Sequence, residues 1–204
     1  MSDQAVSSSS KDSAKRSRRG QSLVEFALVL PMLLVLLLGI ADFGRVFSGG
    51  ITVEAMARNA AEAAAQEYLQ LRRAAAPNEP NATDFEAVRA RAQEVACEEA
   101  DTLPNRTQFG GVCSMPVIGT CVHDEWGDHC GSPSGTVPGN CSAMVAWPPT
   151  MVNQAGGLPY VKVNVCYRFT TLMNVSDLRL PLGWSLSIGD IWLQRERVFT
   201  VADY

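Results

Sequence analysis

The chain has 204 residues and six cysteines, a length that allows one or two small folded units but not several. Its formal net charge is −4, yet the first twenty residues carry five basic and two acidic side chains, a balance of +3 that leaves −7 on the remainder. An acidic body argues against nucleic-acid binding, which would need a basic face. A basic head is typical of a segment held on the cytoplasmic side of a membrane.

The N-terminal segment is rich in serine and basic residues and shows no apolar periodicity. We therefore predict a cytoplasmic basic leader over residues 1–20. Such a composition offers little apolar surface to bury, and we expect disorder through residue 19.

An apolar run follows this leader. The 22 residues over 26–47 suffice to cross a bilayer as a helix if Asp42 and Arg45 lie at the far interface. We predict a transmembrane helix over 21–48, with Arg45 extending its charged end toward the interface. The basic head then stays inside, and everything after the run lies outside.

A cleaved secretory signal is the alternative for this run. Such signals have an apolar core of about 7–15 residues and end at a small-residue cleavage site. The run here is longer, and Gly39-Ile40-Ala41 matches such a site only weakly. We therefore favour a retained span.

An alanine-rich segment over 49–76 is predicted to continue as a helix outside the membrane, because alanine is the best helix former. Gly49-Gly50 at its start indicates a flexible joint or a kink. Pro77 is expected to end it.

The remaining residues, 77–204, are predicted to form an extracytoplasmic α+β domain. A second helix is expected to begin at Thr83, because residues 83–86 match a capping box, and to end before Pro104. From Asn105 onward, frequent Gly, Pro, Asn and Ser indicate turn-rich β-structure.

The clearest strand signal lies over 160–170, where apolar and polar residues alternate. This alternation predicts a half-buried strand. Residues 144–147 and 191–201 are weaker strand candidates. The predicted fold class is α+β, with a long N-terminal transmembrane helix, a second helix and a small antiparallel sheet with disulfide-stapled loops.

All six cysteines lie beyond the apolar run. An even count confined to one side of a membrane indicates disulfides in an oxidising compartment. Six cysteines allow 15 complete pairings, and their spacing does not choose among them. The disulfide candidates are Cys97, Cys113, Cys121, Cys130, Cys141 and Cys166.

Histidines and carboxylates cluster between two of these cysteines, over 121–130. Their spacing is neither a usual structural zinc pattern nor a calcium loop. Outside the cytoplasm a disulfide loop is favoured over a metal site. We therefore expect His123 and His129 on the surface, the carboxylates in a solvated turn, and no metal or other cofactor.

We find no sequence pattern typical of catalysis. The chain has no Gly-x-Ser-x-Gly, no phosphate-binding glycine loop and no His-Glu-x-x-His. We predict a protein without enzymatic activity. An anchored metal-dependent enzyme using His123 and His129 is the rival hypothesis.

The junction between the leader and the span carries a carboxylate. Processing after Gly20 would leave Gln21 as the new N-terminus and Glu25 as the fifth residue. A carboxylate at the mouth of a membrane helix is costly unless a cation neutralises it. In a stacked assembly, the freed α-amino group of a neighbour is such a cation. Alternatively, Glu25 lies at the lipid interface near Arg18 and Arg19.

This segment resembles the start of TadE-like proteins, the minor pseudopilins of the tight-adherence (Tad/Flp) pilus machinery. The shared pattern is Gly20, Glu25 five residues later, the aromatic Phe26, Pro31 inside the span, and then Gly-Ile-x-Asp-Phe-Gly-Arg. The alanine-rich helix and the late alternating strand are similar more loosely. Residues 77–158 match no pattern of the family.

The resemblance implies cleavage between Gly20 and Gln21 by a prepilin peptidase, with Glu25 and Phe26 as assembly residues. It implies other pilins or pseudopilins and the inner-membrane assembly platform as partners, and no enzymatic activity. It implies a single-pass protein of the bacterial inner (cytoplasmic) membrane, with its C-terminal domain outside the cytoplasm or on a pilus.

The function that these inferences favour is structural: a minor pseudopilin that primes or caps a Tad (Flp) type IV pilus for surface adherence. The alternative is a membrane-anchored binding or adhesion ectodomain that never enters a fibre.

Overall fold

The structure is a computed structural model, and it describes the backbone of residues 10–109, 112–141, 144, 147–149, 151, 157–171, 175–180 and 184–202. Side chains are described over the same ranges except at 10–20, 109, 112, 175–180 and 184–188. The chain divides into two compact units, Met1–Gly44 and Arg45–Tyr204.

The fold class is α+β, as predicted, and the strand pairs in the described part of the chain are antiparallel. The helices are α1 (Ser10–Ala75) and α2 (Ala82–Glu99), followed by a 3-10 turn (Ala100–Thr102). The strands are β1 (Thr107–Phe109), β2 (Val112–Met115), β3 (Val117–His123), β4 (Asp128–Cys130), β5 (Tyr160–Phe169), β6 (Val175–Leu180), β7 (Trp184–Ile188) and β8 (Ile191–Thr200).

Helix α1 includes sequence that we expected to be disordered. Residues 10–19 are helical, because extending an existing helix avoids the cost of nucleating a new one. Residues 1–9, which carried the same prediction, lie outside the described residues. At its other end, α1 stops at Ala75, just before Pro77, as the sequence predicted.

The glycine pair at 49 and 50 does not interrupt α1, so the predicted joint is wrong. Gly49 is buried, and a Cβ placed there would lie 3.4 Å from the Phe169 ring and 3.7 Å from Leu193. A Cβ at Gly50 would meet open space. Gly49 therefore lies where α1 meets the sheet, and a methyl group there would be at ordinary contact distance.

Helix α2 begins with a different capping box from the one predicted at Thr83. Asn81 Oδ1 accepts hydrogen bonds from the amides of Thr83 at 2.8 Å and Asp84 at 3.1 Å. Asp84 Oδ2 in turn accepts from the Asn81 amide at 2.8 Å. Asparagine outranks threonine as an N-cap, and Asp84 stands three residues after it, so the earlier start prevails.

Four strands form the main sheet, in the order β4-β3-β5-β8. Strand β5 pairs with β8 over its whole length, from Tyr160 opposite Thr200 to Phe169 opposite Ile191. Strands β1 and β2 form a separate two-stranded sheet, as do β6 and β7. The strands predicted over 160–170 and 191–201 are confirmed as β5 and β8.

The weaker strand prediction over 144–147 is wrong where the structure describes it. Met144 is helical and Trp147 lies in a bend. The Met144 amide donates to the carbonyl of Cys141 at 2.8 Å, which closes a turn in place of a ladder. Residues 145 and 146 lie outside the described residues.

Strand β5 is buried on both faces, whereas its alternation predicted one exposed face. On one face, Val163 and Tyr167 are fully buried against the helices. On the other face, Asn164 and Cys166 are equally inaccessible. The chain that follows β4 folds back over this second face and packs Met144 against Cys166.

The helices cover the first face mainly with alanine. Alanine at helical spacing presents a smooth stripe, and its small methyl group allows close approach to the sheet. The buried helix residues are Val53, Met56, Ala57, Ala60, Ala61, Ala64, Ala65 and Tyr68 of α1, and Phe85, Val88, Ala92, Ala96 and Cys97 of α2.

All six cysteines are paired, so the predicted disulfide stapling is present. The pairs are Cys97–Cys113, Cys121–Cys130 and Cys141–Cys166. The first joins α2 to β2, the second joins β3 to β4, and the third fastens the segment after β4 to the middle of β5. Each cross-link restricts the unfolded chain, an effect typically of about 2–4 kcal/mol.

The close approach at Gly119 of β3 gives a test of the packing on the second face. A Cβ there would overlap the Trp147 ring and lie 2.9 Å from Met144 Cε. Trp147 is held in place because its Nε1 donates to the carbonyl of Gly131 at 2.8 Å. We predict that Gly119→Ala lowers the free energy of unfolding by about 1–3 kcal/mol.

Thermal unfolding followed by tryptophan fluorescence measures this loss. Gly139→Ala is the matched control, because a Cβ at Gly139 has no neighbour within 4 Å. Equal midpoints for the two variants would contradict the described packing.

Candidate functional site

The residues predicted for processing and assembly lie on α1. Gly20 and Gln21 are both helical. Glu25 and Phe26 expose their side chains, and Gln21 Nε2 donates to Glu25 Oε1 at 3.2 Å across one helical turn. The roles of these four residues in cleavage and assembly stay predictions.

A continuous apolar surface follows Glu25 along the helix. Every residue over 21–41 is exposed, including Phe26 at 61%, Met32 at 77% and Leu36 at 58%. The segment is apolar and long enough to cross a membrane, and an 18-residue stretch of this helix has a mean hydropathy of 2.7. Surface of this extent needs a cover of lipid or of other helices. It fits a single-pass membrane anchor.

Arg45 packs on the sheet within the second unit, and its predicted place at a membrane interface stays a prediction. Its guanidinium carbon lies 5.4 Å from the centre of the Phe169 ring. A cation over an aromatic face is attracted by the ring's negative face. Arg45 therefore contributes to holding α1 on the sheet.

A buried carboxylate organises the turn between β3 and β4. Asp124 is 6% exposed and accepts three hydrogen bonds, from the Tyr68 hydroxyl at 2.8 Å and from the amides of Trp126 at 2.9 Å and Gly127 at 3.1 Å. Gly127 has a φ of 143°, a conformation that glycine adopts without strain. Asp124 thus joins α1 to the turn, and the expectation of solvated carboxylates is wrong at this position.

The two histidines lie on opposite faces of the β3–β4 hairpin. Val122 is paired with His129, and His123 is paired with Asp128. Because neighbouring positions along a strand point to opposite faces, His123 and His129 do not converge on one ion. Among the described residues, no group of three or more His, Cys, Asp and Glu is placed to hold a metal.

Both histidines are half-buried and have contact partners within the protein. The His129 ring stacks on Phe85 with 3.8 Å between ring centres, and its Nε2 lies 3.3 Å from Asp124 Oδ1. His123 Nδ1 lies 2.5 Å from Asp128 Oδ1. His129 therefore packs the hairpin against the first turn of α2.

Arg72 makes a second connection between α1 and the same turn. Its Nη2 donates to both Glu125 oxygens, at 2.9 Å and 3.1 Å. The guanidinium also lies over the Trp126 ring, 5.9 Å from the ring centre. Exposed ion pairs contribute little stability, so the main effect is to orient Trp126, which is 39% exposed.

The Asp124 turn has one local signal in the sequence, which the prediction of a solvated loop did not take into account. Asp124 and Gly127 stand at the first and fourth positions of a four-residue turn, the places that aspartate and glycine favour. The part played by Tyr68 carries no local signal, because it lies 56 residues away along the chain.

These observations define a class: a protein with one exposed apolar helix at its start and a disulfide-linked α+β unit after it. The family model for TadE-like protein matches residues 20–62, which confirms the predicted resemblance over that segment. No match was found among curated proteins or among solved structures. The family match associates this chain with the Tad pilus system.

The Tyr68–Asp124 bond predicts how stability depends on pH. Burial, reinforced by the hydrogen bond to Asp124, raises the pKa of Tyr68 above its ordinary value of 10.0. The folded chain therefore keeps this proton where the unfolded chain loses it. The stabilisation that this bound proton gives to the folded state is complete below pH 10.0 and is lost as the pH rises above that value.

We expect Tyr68→Phe to flatten part of this alkaline loss of stability, and to destabilise the protein at neutral pH by about 1–3 kcal/mol because Asp124 loses a donor. Denaturant unfolding at several pH values measures both effects. Burial also raises the pKa of Tyr167, so some alkaline dependence remains in the variant. An unchanged slope above pH 10.0 would contradict the assignment.

Proposed function

We propose that this protein is a TadE-like minor pseudopilin, a structural subunit that primes or caps a Tad pilus. The observation that carries the proposal is the family match over residues 20–62, which covers an exposed apolar helix with Glu25 near its start. The disulfide-linked unit is then the part that such a subunit presents outside the cytoplasm.

The apolar surface over 21–41 accounts for storage and for assembly by one mechanism. Before assembly, lipid covers these side chains. In a fibre, the helices of neighbouring subunits replace the lipid, so little apolar surface meets water at either stage. The free-energy difference between the two states is small, because lipid tails and leucine side chains are similarly apolar.

Glu25 sets the axial position of the subunit in this proposal. A carboxylate surrounded by apolar side chains favours a nearby cation. Cleavage after Gly20 creates one, the α-amino group of Gln21, on every processed subunit. Glu25 of one subunit and the terminal amine of a neighbour then form a pair that fixes their stagger, and the amide of Gln21, its present partner, gives way to that cation.

The proposed partners are a prepilin peptidase, other pilins or pseudopilins, and the inner-membrane assembly platform. The proposed orientation keeps the basic leader in the cytoplasm and the cysteine-containing unit outside. Three disulfides favour that side, since thiols stay reduced in the cytoplasm. We propose no enzymatic activity.

The mature N-terminus is the first test. Sequencing of the protein purified from a pilus-forming host is expected to begin at Gln21. Gly20→Leu is expected to block cleavage and leave the leader in place, because prepilin peptidases act at a small residue. A wild-type protein that begins before Gly20 would support instead a binding ectodomain on a plain anchor.

Substitution of Glu25 is the second test. We predict that Glu25→Ala leaves membrane insertion intact and abolishes piliation, because the subunit loses its partner for the neighbour's amine. Counting pili by electron microscopy, with protein levels measured in membranes, separates assembly from expression. Glu98→Ala is the matched control, since Glu98 is an exposed glutamate on α2. Normal piliation in Glu25→Ala would remove the proposed role in stagger.

A further inference from the structure

Strand β8 forms one edge of the main sheet. In the described part of the chain it pairs with β5 on one side and with no strand on the other. An unpaired edge offers a row of backbone donors and acceptors to another chain. At ten residues, β8 is long for an edge strand. Its side chains then determine which other strand could pair with this edge.

Two arginines of β8 face the helices. Arg195 and Arg197 stand opposite Val165 and Val163 in the register, and residues directly opposite share a face. Both arginines reach the same carboxylate, Glu54 of α1: Arg195 Nε lies 3.2 Å from Glu54 Oε2, and Arg197 Nη2 contacts Glu54 Oε1. One carboxylate against two guanidiniums leaves this face of the edge with a surplus positive charge.

The same arginines cover backbone carbonyls of their own strand. Arg195 Nη1 donates to the Gln194 carbonyl at 2.8 Å, and Arg197 Nη1 donates to the Glu196 carbonyl at 3.1 Å. In an antiparallel ladder, alternate residues direct their backbone groups away from the partner strand. The guanidiniums therefore occupy acceptors that an added strand would use.

A second copy of the chain is a poor occupant of this edge. The two antiparallel registers that overlap most while keeping the faces aligned place Arg195 opposite either Arg195 or Arg197 of the other copy. Like charges directly opposite each other destabilise strand pairing. Charged side chains that point inward from an edge strand are a known protection against such association.

We propose that the outer edge of β8 is a docking site for an extended segment of a different protein, one that carries carboxylates opposite Arg195 and Arg197 and apolar side chains opposite Leu193 and Phe199. Charge complementarity selects this occupant. Phe199 is 40% exposed and supplies an apolar contact at one end of the site. The inference does not depend on the proposed role in a pilus.

Binding is an exchange of partners at the edge. The guanidiniums turn from the carbonyls of Gln194 and Glu196 to the incoming carboxylates, and the carbonyls become available to the amides of the incoming strand. A segment without carboxylates leaves the guanidiniums on the carbonyls. The arginines thus favour pairing with an acidic strand over pairing with a neutral or basic one.

The test uses the full chain in detergent micelles and synthetic peptides as probes. One peptide alternates valine and threonine and carries glutamates at two central positions of one face; its control carries lysines there. We expect the glutamate peptide to bind and the lysine peptide to bind about tenfold more weakly, because two exposed ion pairs together contribute about 1–2 kcal/mol. Hydrogen exchange is expected to slow in residues 191–200 when the glutamate peptide is bound.

Charge reversal provides the matching variant. The triple change Arg195→Glu, Arg197→Glu and Glu54→Arg keeps the internal pairing and is expected to prefer the lysine peptide. The milder pair Arg195→Gln and Arg197→Gln is expected to lose the preference for glutamate, and it serves if the triple variant does not fold. Arg91→Thr, at an exposed arginine on α2, is expected to behave as wild type.

Several outcomes would overturn the proposal: equal binding of the two peptides, no binding of either, or binding without slower exchange in residues 191–200. Dimers of the wild-type chain that protect the same residues would overturn it as well, and would make a second copy the occupant. A preference for glutamate that persists in the pair of glutamine variants would move the site elsewhere on the protein.

Discussion

Burial of β5 on both faces is the constraint that organises the second unit. A strand in this position needs a partner along each edge and a cover on each face, and five different parts of the chain supply them. Strands β3 and β8 pair with its edges, and the two helices cover one face. The segment after β4 covers the other face and is tied to β5 through Cys141–Cys166. Two features of the sequence follow from this burial. Alanine on the helices allows them to pack close to one face of the sheet, and Gly119 leaves room for Trp147 on the other face.

Elements with a strong local signal could be predicted from the sequence. The alanine-rich helix ends just before Pro77, as predicted, and the alternation over 160–170 is a strand. Local reasoning was less accurate where two local signals compete. Thr83 and Asn81 both fit an N-cap, and the better cap prevailed. Alternation also cannot tell a face open to water from a face covered by a distant segment, which is why β5 looked half-exposed.

The residues of the candidate site also divide into those with a local signal in the sequence and those without one. One contiguous segment contains Gly20, Glu25 and Phe26, so their pattern could be recognised from the sequence. The family match covers this segment. The Asp124 turn depends on Tyr68, on Phe85 below His129, and on Arg72, all of which reach it across the fold. The run of His, Cys and acidic residues over 121–130 was therefore predicted as a disulfide loop with solvated carboxylates. The disulfide Cys121–Cys130 is present, whereas Asp124 is buried and bonded to Tyr68. Such contacts cannot be assigned from the sequence alone. Burial of a charged carboxylate is unfavourable unless partners compensate it, and here the partners lie far away along the chain.

The positions of the cysteines have a mechanical consequence. Every cysteine lies at or after residue 97, so no covalent cross-link reaches α1. Beyond the peptide chain that continues from its end, α1 is held by the packing of its alanines and other buried apolar side chains, by Arg45 on Phe169, and by the contacts of Glu54, Asn59, Tyr68 and Arg72. Tension applied along α1, as extraction from a bilayer or strain on a fibre would apply it, loads only these non-covalent contacts. The disulfide-linked remainder would keep its shape, and α1 would be the first element to peel away.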